Sequence, residues 1–142
     1  MKAQEVIRCR GHPLITGSHP TTFEITCVEH LTPAGNCIIG IGADKGCVGL
    51  SAEFRDLLTH DDAVLVTRLS AGNVEVEVRS HGSAQLTLDH AADMVWRRSR
   101  FTCGRTIGIC SDHVAATLPR ELVSLLRTGA EMTVTLAVSR PG

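Results

Sequence analysis

The fold is decided by Ile39–Leu58, IGIGADKGCVGLSAEFRDLL, because the chain repeats this stretch 68 residues later as Ile107–Leu126, IGICSDHVAATLPRELVSLL. Eight of the twenty aligned positions are identical without a gap, whereas typical residue frequencies would give about one or two by chance. The identical pairs are Ile39/Ile107, Gly40/Gly108, Ile41/Ile109, Asp44/Asp112, Leu50/Leu118, Glu53/Glu121, Leu57/Leu125 and Leu58/Leu126. The repeat predicts two copies of one structural unit.

A second match lies upstream, at an offset of 71 residues. The pattern G-x-x-x-[IL]-T-x-x-H occupies residues 11–19 and again residues 82–90. A three-residue deletion in the second copy, opposite about Cys27 to Asn36, reconciles the two offsets. We therefore predict an internal duplication inside a single domain over residues 1–142, with unit one at about 3–69 and unit two at about 74–138.

Strand periodicity is visible in both units. Thr22–Cys27 and Val74–Arg79 alternate in polarity, which is typical of half-buried strands. Cys37–Ile41 and Thr106–Ile109 have the composition of buried strands, and each carries a glycine, which often marks a close backbone approach. Further strands are predicted to close the units at Ala63–Leu69 and Met132–Val138.

Helical periodicity appears once in each unit. Apolar residues recur at i, i+4, i+7 and i+8, which places them on one face of a helix. They are Leu50, Phe54, Leu57 and Leu58 in unit one, and Leu118, Leu122, Leu125 and Leu126 in unit two. Each unit is thus predicted as β-β-β-β-α-β. The fold class is α+β: a β-rich, pseudo-two-fold body with two helices, either barrel-like or built as two packed sheets.

Composition narrows the functional classes. The 142 residues carry a formal net charge of −1, which argues against a protein that binds nucleic acid over its whole surface. None of the six cysteines forms a Cys-x-x-Cys pair, so no zinc cage and no cofactor are predicted. Six thiols and no apolar leader favour a reducing, cytoplasmic compartment. No apolar run is long enough for a membrane helix.

An arginine-rich segment in unit two is the leading candidate for ligand binding. Its residues are Trp96, Arg97, Arg98, Ser99, Arg100 and, a little further on, Arg105. Guanidinium groups bind phosphate in a bidentate manner, and a neighbouring ring can stack on a base. The segment therefore suggests a binding module for RNA or a nucleotide-like ligand. The alternative is a solvated strand edge whose positive charge blocks unwanted pairing.

A second polar group lies in unit one and suggests a small enzyme acting on an anionic substrate. Its candidate catalytic residues are His12, His19, Thr22 and Glu24. Histidine and glutamate are common acid–base groups, although a solvated sheet face would show the same residues. His19 and His90 occupy equivalent positions and form a weak alternative metal pair; hydrogen-bonded histidines near strand ends are the simpler interpretation. A structural subunit of a larger complex is a third hypothesis, and the oligomeric state stays open.

Several longer patterns resemble an archaeal family described as a domain of unknown function. In unit one the resemblance rests on Gly11-His12-Pro13-x-Ile15 and Leu31-Thr32-Pro33-x-Gly35-Asn36-Cys37. In unit two it rests on Arg97-Arg98-Ser99-x-Phe101 and Ser111-Asp112-His113-x-Ala115-Ala116. The resemblance covers nearly the whole chain. It implies an archaeal cytoplasmic protein and supplies no activity, cofactor or partner.

Overall fold

The computed structural model describes residues 1–32 and 34–142, and within them the chain forms eight strands, two α-helices and two 3-10 turns. In chain order the elements are β1 (Lys2–Arg10), β2 (Thr22–Thr26), β3 (Ile38–Gly40), a 3-10 turn (Cys47–Gly49), α1 (Ala52–Leu58), β4 (Val64–Ala71), β5 (Val74–His81), β6 (Asp93–Arg97), β7 (Thr106–Gly108), a 3-10 turn (Ala115–Thr117), α2 (Arg120–Arg127) and β8 (Glu131–Ser139).

The α+β class is confirmed, but the strand count is lower than predicted. Three strands precede each helix among the described residues, instead of four. The segment between β3 and α1 turns into a 3-10 helix whose Val48 amide donates to the His90 carbonyl. In the second unit the Ala116 amide donates to the His19 carbonyl in the same way. These segments therefore contact the loop of the opposite unit and add no strand to a sheet.

The eight strands form two four-stranded sheets and do not close into a barrel. The first sheet has the order β1-β8-β4-β5 and is antiparallel throughout. The second has the order β3-β2-β6-β7, with an antiparallel β2–β6 pair at its centre and a parallel strand on either side. Strands from the two predicted units alternate in the first sheet, so the units are interleaved. The duplication itself stays a prediction from the sequence.

The two sheets approach closely at the glycines of β3 and β7, as the glycines in those predicted strands indicated. A Cβ atom added at Gly40 would lie 2.8 Å from the Cys9 sulfur, and one added at Gly108 would lie 2.9 Å from the Ser80 Cβ. Bridges between Arg10 and Ile41 and between His81 and Ile109 join the sheets at the same places.

The core lies between the sheets and under the helices. Phe23 of β2 stacks on Trp96 of β6 with their ring centroids 4.6 Å apart. The Trp96 indole N–H donates to the Thr67 hydroxyl of the other sheet at 2.9 Å. Helix α1 packs on β1 and β8, and helix α2 packs on β3, β4 and β5. Neither helix of the described residues has the length and apolar run that crossing a bilayer requires.

Candidate functional site

The outer face of the second sheet is polar but buried. Thr22, Glu24 and Thr26 alternate along β2 with Phe23 and Ile25, which point into the core. All three polar residues are less than a tenth exposed. This face is therefore not the solvated surface that the sequence left as an alternative.

Glu24 contacts an arginine from the other unit. The Arg105 Nη1 atom lies 3.3 Å from the Glu24 Oε1 atom and 3.4 Å from the Asp93 Oδ2 atom. The Asp93 Oδ1 atom accepts a hydrogen bond from the Thr26 hydroxyl at 2.7 Å. We call Glu24, Asp93 and Arg105 the carboxylate cluster. It joins one candidate from each of the two groups that the sequence suggested separately.

Two carboxylates share one guanidinium in this cluster, and that arrangement perturbs Glu24. The pKa of Glu24 is raised to about 7, mainly because the carboxyl group is buried and also because of the nearby negative charge of Asp93. The positive charges of Arg105 and Arg97 oppose the shift without cancelling it. A carboxyl group with a pKa near 7 exchanges its proton at neutral pH, as a general acid or base must.

Arg97 lies at the other end of the same sheet face. Its Nε atom donates to the Thr106 hydroxyl at 2.8 Å, and its Nη2 atom donates to the Cys103 sulfur at 3.3 Å. The guanidinium carbon lies 4.9 Å from the centroid of the Phe101 ring, which gives a cation–π contact. These contacts hold the guanidinium in a fixed position beside an exposed aromatic ring, because Phe101 is 59% exposed.

Cys103 acquires an acidic thiol from these contacts. Burial raises its pKa, but the backbone amide of Arg105, the Thr106 hydroxyl and the hydrogen bond and charge of Arg97 together lower the pKa to about 7. The thiols of Cys9 and Cys47 differ, since burial raises the pKa of each to about 12. Cys103 is therefore far more thiolate-like at neutral pH than these two buried cysteines.

The remaining residues of the arginine-rich segment are exposed. Arg98, Ser99 and Arg100 lie in the loop after β6. The Ser99 hydroxyl accepts a hydrogen bond from the Phe101 amide at 3.2 Å, and the Ser99 carbonyl accepts one from the Cys110 amide. We call Arg97, Arg98, Arg100 and Phe101 the arginine face.

Trp96 does not belong to this surface, contrary to the sequence-based prediction. It is fully buried, stacked on Phe23 and hydrogen-bonded to Thr67. The alternation along β6 that exposes Arg97 turns the Trp96 ring into the core, so it cannot stack on a ligand. Phe101 is the exposed ring beside the arginines.

His19 and His90 each hydrogen-bond to backbone amides two and three residues later in the chain. The His19 Nδ1 atom accepts hydrogen bonds from the Thr21 and Thr22 amides, both at 3.2 Å, and lies 3.1 Å from the Thr22 hydroxyl. The His90 Nδ1 atom accepts from the amides of Ala92 and Asp93 in the same way. Each ring thus fixes the turn that leads into a central strand. This matches the simpler of the two interpretations of the pair, in which the histidines are hydrogen-bonded near strand ends.

His12 is separate from the other catalytic candidates. Its Nδ1 atom accepts a hydrogen bond from the Leu14 amide two residues later. Within residues 1–32 and 34–142, no three His, Cys, Asp or Glu side chains converge in a way that could hold a metal ion. Of the four unit-one candidates, the structure brings Thr22 and Glu24 to the arginines, with His19 behind Thr22.

Sequence reasoning missed three members of the site. Asp93 and Cys103 join it through contacts with Arg105 and Arg97, and Thr106 anchors both Arg97 and Cys103. The position of Asp93 carried a usable signal, because it lies four residues before Arg97 on the same face of β6. No local pattern identifies Cys103, because its environment depends on how the loop between β6 and β7 brings it to Arg97 and Thr106.

Comparisons with known proteins agree with the resemblance seen in the sequence. A family model described as "Domain of unknown function (DUF371)" matches residues 7–139. The uncharacterized protein MJ0206 of Methanocaldococcus jannaschii is 36% identical over 127 residues, which cover 89% of this chain and 93% of that protein. A match of this extent, over both sheets and both helices, shows family membership. The chain belongs to the DUF371 family.

Proposed function

We propose that this protein is a binding module for a phosphate-bearing ligand, and that the arginine face is its contact surface. The observation that carries the proposal is the Arg97 guanidinium held 4.9 Å from the centroid of the exposed Phe101 ring. This arrangement offers a hydrogen-bond donor for phosphate beside an aromatic ring for stacking. Both groups are in place before a ligand arrives, which lowers the entropic cost of binding.

The charges of this surface support the same function. Arg105 is offset by the carboxylates of Glu24 and Asp93. Arg97, Arg98 and Arg100 have no carboxylate partner within the described part of the chain. The exposed loop after β6 therefore carries positive charge on Arg98 and Arg100 that no ion pair offsets, although the whole chain has a formal net charge of −1. Such a local excess attracts phosphate groups.

The aromatic inventory favours a nucleotide-like ligand or a short RNA segment over a long strand. The chain has one tryptophan and three phenylalanines, and Trp96, Phe23 and Phe54 are all in the core. Phe101 alone is left to stack on a base. One exposed ring accommodates one base, whereas extended single strands use several. The six free cysteines fit a reducing, cytoplasmic setting for such a ligand.

Salt-dependent binding of a fluorescent adenosine nucleotide and of a short labelled RNA tests the proposal. The variant Arg97→Ala with Arg98→Ala is expected to weaken binding of the ligand that the surface takes. It should also flatten the dependence of the binding constant on salt, because each lost phosphate contact reduces that slope. A matched control is Arg68→Ala with Arg127→Ala, which removes the same formal charge from β4 and from the end of α2, outside the arginine face.

The two variants must also be compared by thermal unfolding, since Arg97 hydrogen-bonds to Thr106. If the double variant folds and its salt slope equals that of the wild type, the arginine face is not the binding surface. If the control variant flattens the slope equally, binding reflects total charge and the proposal fails.

A second candidate function is catalysis on an anionic substrate, and the carboxylate cluster favours it. Glu24 has a pKa of about 7 and lies beside Arg105, which can hold an anion while Glu24 transfers a proton. A screen of phosphate and carboxylate esters with the wild type and Glu24→Gln tests this hypothesis. Turnover that persists in the variant would exclude Glu24 as the acid–base group.

A further inference from the structure

A polar pocket of about 520 Å³ opens beside the arginine face, between the end of β5 and the segment after β7. Its wall combines polar side chains from four parts of the chain, namely Asp61, His81, Ser83, Gln85, Arg100 and Cys110. The hydrogen bonds between the backbones of His81 and Ile109, both 2.9 Å, fix its base. The volume is in the range of pockets that hold small molecules.

The free hydrogen-bonding groups of the pocket are complementary to a molecule with both an anion and hydroxyl groups. Arg100 is exposed and makes no side-chain hydrogen bond within the described residues, and His81 adds a second nitrogen donor. Asp61 uses its Oδ1 atom to accept from the Ala84 amide at 2.8 Å, which leaves its Oδ2 atom as an acceptor.

A pocket of the first unit is lined at two positions equivalent to those of the second pocket, and the residues there differ. There Arg10 stands in place of His81 and is paired with Glu29 at 3.5 Å. Gly42 takes the place of Cys110, and a Cβ atom at Gly42 would lie 2.4 Å from the Arg10 guanidinium. The first pocket is therefore narrowed by the paired Arg10 side chain, whereas Arg100 in the second pocket has no carboxylate partner among the described residues.

The backbone conformation of Cys110 is a second feature that distinguishes the second pocket from the first. It has a φ of 51°, in the left-handed region that residues other than glycine rarely adopt. Gly42 has the same conformation at φ 60° without a side chain. The second unit thus carries a strained side chain in the pocket wall where a glycine would relieve the strain.

We propose that this pocket binds the sugar phosphate of a mononucleotide-sized ligand. Arg100 and His81 hold the phosphate, and Asp61 accepts hydrogen bonds from the sugar hydroxyls. Arg100 belongs to both the pocket and the arginine face, so the inference rests on the proposed function and narrows its ligand to a small molecule. A phosphate alone would leave Asp61 facing an anion without a donor, whereas a sugar supplies that donor.

Cys110 provides a built-in probe, because it is partly exposed in the pocket wall. Alkylation by iodoacetamide is followed by peptide mass spectrometry, with and without ribose 5-phosphate. Cys27, also partly exposed and outside this pocket, is the internal control. At ten times the dissociation constant, the ligand should slow Cys110 alkylation about tenfold and leave Cys27 unchanged. Arg100→Gln and His81→Ala should each remove most of this protection.

The variant Arg97→Ala with Arg98→Ala separates this inference from the proposed function. Cys110 protection that persists in that variant and disappears in Arg100→Gln supports the pocket. Nucleotide binding that depends on Arg97 and Arg98, without any protection of Cys110, overturns the pocket and leaves the proposed function standing. Equal protection by inorganic phosphate overturns the sugar component, and protection only by an RNA oligonucleotide overturns the small-molecule ligand.

Discussion

Glu24 and Val95 are paired neighbours at the centre of the second sheet, and they occupy equivalent places in the two units. One is a buried acid beside an arginine, and the other is a buried apolar residue. The backbone around them is the same, since the Glu24 amide donates to the Cys37 carbonyl and the Val95 amide donates to the Arg105 carbonyl. The comparison teaches that the scaffold does not require a carboxyl group here.

Other positions are identical in both units because the scaffold does require them. Gly11 packs on the last turn of α2, where an added Cβ atom would lie 1.8 Å from the Leu126 carbonyl oxygen. Gly82 packs on α1, with the Leu58 carbonyl oxygen 2.2 Å from such an atom. Each unit therefore packs a glycine against the end of the other unit's helix, and the two contacts are equivalent.

The largest expected effect comes from breaking these glycine contacts. Gly11→Ala and Gly82→Ala should each cost more than about 3 kcal/mol, because a methyl group would collide with backbone that cannot move aside. Thermal unfolding and soluble yield measure the loss. Gly72→Ala is the control: its φ is 56°, but its nearest contact is at 3.5 Å, so about 1 kcal/mol is expected. A mild effect at Gly11 would show that α2 is not seated on that glycine.

Glu24→Gln should remove a pH dependence of stability. The folded-state pKa of about 7 lies above the ordinary value of 4.5, so the folded protein binds this proton more tightly than the unfolded chain does. The resulting stabilisation is complete at low pH and is lost as the pH rises through 7. Denaturant unfolding of the wild type should show a loss of about 2–3 kcal/mol between pH 5 and pH 8.

The Glu24→Gln variant should lack that loss over the same pH range. Glu77→Gln, which removes an exposed carboxylate paired with Arg68, is the control and should behave as the wild type does. If the stability of Glu24→Gln depends on pH as that of the wild type does, Glu24 is ionised at neutral pH. The difference between Glu24 and Val95 would then add no pH dependence to the stability.

The smallest expected effect is that of Cys110→Gly, a substitution that makes the two pockets more alike. Cys110→Gly reproduces Gly42 of the first unit and relieves the positive φ of Cys110. The gain in the folded state exceeds the extra flexibility of glycine in the unfolded chain, so unfolding should become harder by about 0.5 kcal/mol. Differential scanning calorimetry measures the shift in melting temperature. A destabilised variant would indicate that the Cys110 side chain contributes packing that outweighs its strain.

The fold class and most element positions could be predicted from the sequence, because hydrophobic periodicity is a local property. Val74–Arg79 alternates and forms most of β5, and the leucine spacing after Leu118 marks α2. The site could be predicted only in part. Arg97 was recognised by its charge, but its contacts with Thr106 and Cys103 depend on a loop geometry that has no local pattern. Trp96 was misassigned because β6 is buried mainly on the side that its ring occupies.

The pairing of β1 with β8 has a consequence for folding. Lys2 is paired with Ser139 and Arg10 with Glu131, so β1 has its strand partner among the described residues in β8, more than a hundred residues later. The β4–β5 hairpin, which turns at Gly72 and Asn73, joins two antiparallel strands that are consecutive in the chain, so its contacts are local in sequence. Chains dominated by such distant contacts fold slowly. We therefore expect the hairpin at the middle of the chain to form first, and the first sheet to be completed only after synthesis has reached β8.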